Sequence, residues 1–147
     1  AHAHWMDRGR RVLELPCTGG FVGFLHPVAP RLYPFVHSRA LRRLRVPGIL
    51  SRLGAMTRLR LSPEGFDFPQ MRALTRSLLR RGVRVLTLSY HSTTLKPGCT
   101  AYARTQAELD RFLDTIRRYL DHFFGEIGGE SMTPLDLRAR ILGNGQR

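Results

Sequence analysis

Val83-Arg-Val-Leu-Thr-Leu-Ser-Tyr-His-Ser92 gathers apolar and β-branched residues between Gly82 on one side and Pro97-Gly98 on the other. That composition suits a buried strand, and its last residues are polar and able to hydrogen-bond. In parallel sheets the ligand crevice lies at the carboxyl ends of the strands, so His91 stands where a working residue is expected. A core histidine bonded to a neighbouring carbonyl is the alternative that the pattern leaves open.

The neighbouring segments support a strand here. Upstream, Thr57 to Leu61 alternates Arg58 and Arg60 with Leu59 and Leu61, a strand pattern closed by the turn Ser62-Pro63-Glu64-Gly65. A helix is predicted next. Asp67 suits its N-cap, Pro69 its first turn, Met71, Leu74 and Leu78 its apolar face, and Gly82 the left-handed position after its end. Downstream, Ser92 to Arg104 reads as loop. Thr105-Gln-Ala-Glu108 is a capping box that opens an amphipathic helix through Leu109, Phe112, Leu113, Ile116, Leu120 and Phe123, ended at Gly125. Thr133-Pro134 opens a last helix running to about Leu142.

Before Thr57 the pattern is weaker. Ala1 to Arg11 is polar, with His2 and His4 close to the end; Val12 to Pro16 forms a short strand closed by proline, and Thr18-Gly19-Gly20 continues as loop. Phe21 to Gly54 reads as a long connection carrying two short helices. Leu41 and Leu44 with Val36 or Val46 mark the first, and Ile49, Leu50 and Leu53 the second. Its aromatic residues Phe21, Phe24, Tyr33 and Phe35 either staple the connection to the core or line a pocket. The element order therefore predicts an α/β fold of three βα units with parallel strands joined by right-handed crossovers. Such a sheet has two exposed edges, as expected of part of a larger open sheet or βα barrel.

Composition bounds the function. The chain of 147 residues is one domain by length, and no apolar run is long enough to span a bilayer. It starts at Ala1 without methionine, which suggests a piece of a longer chain, and no signal segment is evident, so a cytoplasmic location is expected. The formal charge of +13 points toward a polyanionic partner. Yet Lys96 is the only lysine among 24 basic residues, so arginine enrichment reads as a compositional habit, and nucleic acid is not expected. Arginines crowd at Arg39, Arg42, Arg43 and Arg45 and again at Arg80, Arg81 and Arg84, as solvated faces or anion contacts. Cys17 and Cys99 have neither metal-ligand spacing nor a disulfide framework.

Taken together, Arg60-Leu-Ser-Pro-Glu-Gly65, Leu86-Thr-Leu-Ser-Tyr-His-Ser92, Leu95-Lys-Pro-Gly98, Thr100-Ala-Tyr102, Gly128-Gly129 and Thr133-Pro-Leu-Asp-Leu-Arg138 resemble the carboxyl-terminal part of bacterial polysaccharide deacetylases of the NodB-like, carbohydrate esterase type. The likeness covers most of the chain after Val12. It implies the last part of a distorted (β/α)7 barrel, with residues 1–147 an incomplete, carboxyl-terminal portion of the domain. It implies hydrolysis of N-acetyl groups on an amino-sugar polymer, with a divalent metal, usually zinc, in the complete enzyme.

Residue by residue, the resemblance makes His91 the general acid, since the expelled amine needs a proton and an imidazole of ordinary pKa ~6.5 can give it. It makes Leu88 apolar wall for the acetyl methyl, or core; Tyr90 and Ser92 are substrate contacts beside it. Glu14, in a late strand ending in proline, is then a candidate to orient His91, an exposed strand glutamate being the alternative. The family's metal motifs, an aspartate pair and two histidines four apart, do not occur in this sequence. No metal ligand is therefore assigned here, and the resemblance implies a chain that is inactive alone and pairs with a missing amino-terminal half or with its own copies. A basic module that binds a polyanion or a partner chain is the competing expectation.

Overall fold

The computed structural model describes residues 3–7, 9, 11–25, 28–36, 38, 43, 49 and 55–144. In chain order these form strands β1 (His4–Trp5), β2 (Leu13–Glu14) and β3 (Gly19–Val22), helix α1 (Ala29–Val36), strand β4 (Thr57–Arg60) and helix α2 (Phe68–Arg80). A 3₁₀ turn (Ser92–Leu95), helix α3 (Gln106–Asp121), a π turn (His122–Glu126) and helix α4 (Pro134–Asn144) follow. The helices expected at Leu41, Leu44 and Val46 and at Leu50 and Leu53 lie outside the described residues.

The sheet arrangement corrects the parallel βα expectation. Two antiparallel pairs form instead: β1 with β2, placing His4 opposite Glu14, and β3 with β4, placing Gly19 opposite Arg60 and Val22 opposite Thr57. No parallel ladder and no barrel occurs among the described residues. Gly19-Gly20, read with Thr18 as loop from turn-forming residues, instead begins a strand, because the absence of a side chain at Gly20 is what its neighbour requires. A Cβ there would stand 3.1 Å from Leu74 Cδ1 and 3.4 Å from Leu78 Cδ2, so α2 packs directly on the β3 backbone. The pair continues one step past β4, where the Leu61 amide donates to the Thr18 carbonyl at 2.8 Å.

Val83 to His91 carries no regular secondary structure and forms no ladder. Its Ser89 amide donates to the Leu61 carbonyl at 3.2 Å, while its Thr87 amide donates to the Thr18 hydroxyl at 2.7 Å. A side-chain oxygen thus takes one place that a partner strand's carbonyl would take in a sheet. What holds the segment is burial. Val83 is buried, and Leu86 and Leu88 pack against the main core of Leu59, Leu61, Met71, Leu74, Leu78 and Tyr119. Each fully buried leucine of that set contributes about 2 kcal/mol of transfer free energy.

Helices α2, α3 and α4 begin at their expected caps, but Gly125, expected to end α3, lies inside the π turn, and α1 lies earlier than the helix expected around Leu41 and Leu44. Asp67 caps α2 by accepting from the Gln70 amide at 2.9 Å, and Gln70 Oε1 accepts in return from the Asp67 amide at 3.0 Å. At its other end Gly82 adopts φ +80°, the left-handed conformation glycine allows without strain. Thr105 and Glu108 make the reciprocal bonds of a capping box at the start of α3, and Thr133 caps α4 by accepting from the Asp136 amide. A second cluster joins Ala29, Val36 and Met56 to Phe21 and Tyr33, whose rings lie 5.2 Å apart. Those two aromatics therefore staple α1 to β3, whereas Phe24 and Phe35 are exposed.

Candidate functional site

Where β4 ends, the chain bends through Leu61 to Gly65, and this bend carries a carboxylate into the protein. The Ser62 hydroxyl accepts the Glu64 amide at 3.2 Å, and Gly65, at φ +82°, turns the chain away toward α2. The Glu64 side chain is only 7% exposed. Because Ser89 is tied to Leu61, the segment from Val83 delivers His91 directly over that carboxylate.

Three donors converge on Glu64. Its Oε1 accepts the His91 backbone amide at 2.9 Å and the Thr94 hydroxyl at 2.6 Å, and its Oε2 lies 2.7 Å from His91 Nδ1. Burial pushes the Glu64 carboxyl up, but the hydrogen bonds from Thr94 and from the His91 amide and ring, with the attraction of an imidazolium, outweigh it and hold the group below the usual carboxylate range. An ionised carboxylate only accepts, so Nδ1 of His91 is the protonated ring nitrogen of this pair. Nε2 is then left for chemistry, on a side chain that is 76% exposed.

The network is anchored from behind. Thr94 is fully buried, its amide donates to the His91 carbonyl at 2.9 Å within the 3₁₀ turn, and its hydroxyl accepts from Thr100 at 3.2 Å. The loop beyond closes on itself: the Gly98 amide donates to the Ala103 carbonyl at 2.9 Å, and Ala103 is buried against Leu109 and Phe112 of α3. Tyr90 sets its ring edge-on to Phe112 at 5.6 Å while remaining 42% exposed. Thus α3 holds the loop, the loop holds Thr94, Thr94 holds Glu64 and the His91 backbone, and Glu64 holds the imidazole.

The remaining candidates fall as follows. Leu88 packs against the main core, the arrangement expected of a structural leucine. Tyr90 and Ser92 flank His91 and are exposed, Ser92 opening the 3₁₀ turn. Glu14 is not the partner of His91: its Oε2 lies 3.4 Å from His4 Nε2, across the β1–β2 pair. Glu64, read from sequence only as a turn residue, takes the place proposed for Glu14. The signal for it lay in a carboxylate set in a Ser-Pro-Glu-Gly bend just after a strand, a bend able to turn it inward.

Cys17 and Cys99 are free, exposed thiols. Among the described residues no three or more His, Cys, Asp or Glu side chains gather to hold a metal ion, so these residues do not fit the metal implied by the resemblance. Among the same residues no helix is long and apolar enough to cross a membrane. Comparison with protein-family models, with curated proteins and with solved structures finds no match.

Proposed function

We propose that this chain carries the proton-transfer part of a carbohydrate N-deacetylase, with His91 as its general acid and Glu64 as the residue that positions it. The observation that carries the reading is the Glu64 carboxylate, buried, held ionised and 2.7 Å from His91 Nδ1, behind an otherwise exposed imidazole. When a tetrahedral adduct of an N-acetyl group collapses, the C–N bond breaks and the leaving nitrogen takes a proton. Nε2 of the imidazolium gives that proton, and Glu64 stabilises the charged ring before the transfer while fixing the tautomer that remains after it. The sequence likeness to polysaccharide deacetylases supplies the substrate class.

Titrating the chain with N-acetylated chito-oligosaccharide, while following the imidazole nitrogens by NMR, tests the reading. Saturable shifts at His91 Nε2, absent with the fully deacetylated oligosaccharide, are the expected result. An imidazole that ignores both sugars up to millimolar concentration overturns it.

A further inference from the structure

A second site lies on α2, independent of the His91 network. Arg72, Arg76 and Arg80 recur every fourth residue, so their side chains line up one turn apart along a single face of the helix. Together they border a hollow of about 380 Å³ whose far wall is the end of β3 at Val22 and Gly23. That volume is at the small end of the range for ligand pockets. The glycine and the small Ala73 on the helix side keep it open to the guanidinium groups.

One carboxylate already uses this arrangement. Glu126, from the π turn, places Oε2 3.4 Å from Arg72 Nη2 and 3.7 Å from Arg76 Nη2. The His122 imidazole, with Nδ1 2.8 Å from the same oxygen, is the main cause that keeps the Glu126 carboxyl below its ordinary range, and the two arginines add to it. That contact is short, although neither ring nitrogen of His122 meets good hydrogen-bond geometry. A single carboxylate leaves three guanidiniums undercompensated. Arg80 has no acidic partner among the described residues, and Arg72 Nε is shielded from solvent with no acceptor.

We propose that this hollow binds the phosphoryl group of a small-molecule ligand. Guanidinium forks match tetrahedral oxyanions with paired N–H donors, and stacked forks suit two linked phosphoryl groups better than one. Glu126 acts as a resident competitor that keeps the empty face from repelling itself. The contribution of this site is therefore set by the balance between one internal carboxylate and the incoming anion.

Calorimetric titration of the full chain with inorganic phosphate and with pyrophosphate tests the proposal. Expected are saturable one-to-one binding, pyrophosphate about tenfold tighter than phosphate, and about tenfold weakening by Arg76→Gln and by Arg80→Gln. Glu126→Gln moves the affinity the other way, tightening it several-fold, because it removes the carboxylate that competes for Arg72 and Arg76. Arg140→Gln, which removes a guanidinium paired with Glu130 at 2.8 Å, leaves binding unchanged. Absence of saturable binding at millimolar anion, equal losses in Arg80→Gln and Arg140→Gln, or weaker binding in Glu126→Gln overturns it.

Discussion

Glu64 holds His91 at two points, accepting its backbone amide at 2.9 Å and facing its ring Nδ1 at 2.7 Å, across 27 positions of sequence. The first contact fixes where the residue sits and the second fixes which ring nitrogen carries the proton. Removing the carboxylate should therefore change the tautomer. In Glu64→Ala the imidazole loses its Nδ1 acceptor, and nitrogen-15 chemical shifts should move toward the Nε2–H form that predominates in free histidine. Nitrogen shifts identical to those of the unmodified chain would show that something other than Glu64 sets the ring.

Stability should depend on acid through the same residue. The Glu64 carboxyl is held below its ordinary value of 4.5, so its hydrogen bonds stabilise the fold fully above that pH and are lost as pH falls through the lowered value. Glu64→Gln offers one carbonyl oxygen to three donors and turns an NH₂ toward one of them. It should cost about 2 kcal/mol near neutral pH, within the range for hydrogen bonds to a charged group. Denaturant titrations of both proteins should converge as pH falls from above 4.5 through the lowered value of the Glu64 carboxyl. A gap that stays constant over that interval would contradict the assignment.

The core contains a second long-range polar pair. Thr75 Oγ1 and the Tyr119 hydroxyl lie 3.0 Å apart, joining α2 to α3, and burial pushes the Tyr119 phenol up despite the opposing bond from Thr75. Tyr119→Phe leaves the Thr75 hydroxyl buried without this partner and should cost about 1–2 kcal/mol, whereas Thr75→Val combined with Tyr119→Phe should cost less than the sum of the two. Urea unfolding of the two single variants and the double variant measures the coupling. Strict additivity would mean that the bond contributes nothing.

How far these features were legible in the sequence depends on how local their causes are. The caps of α2 and α3 were legible because Asp67, and Thr105 with Glu108, act within a single turn, although the return bond from Gln70 to Asp67 was not foreseen. The strand at Gly19–Val22 was not, because two glycines in a row read as loop and only the distant Leu74 and Leu78 explain why nothing larger fits. His91 was legible as a candidate from its place at the end of an apolar run. Its partner was not, since Glu14 lies within one strand-like segment and Glu64 just after another, and only the tie from Ser89 to Leu61 selects between them. The antiparallel ladders likewise depend on how the chain returns at Thr57, which no local pattern encodes.

Gly129 shows the same dependence on a distant contact in a form that can be measured. A Cβ at this position would collide with the ring of Phe123, which packs against the main core and stacks near Tyr119 at 6.2 Å. The Gly129 amide also donates to the Phe123 carbonyl at 2.9 Å, so the backbone cannot retreat without breaking that bond. Gly129→Ala should therefore displace the ring and destabilise the fold by about 1–3 kcal/mol, the usual cost of overpacking. Gly125, inside the π turn, has open space where its Cβ would stand, and Gly125→Ala should be neutral or slightly stabilising by restricting the unfolded chain. Thermal melts of the two variants side by side separate steric conflict from the general effect of replacing glycine. Equal shifts in both would mean that the Phe123 contact does not constrain Gly129.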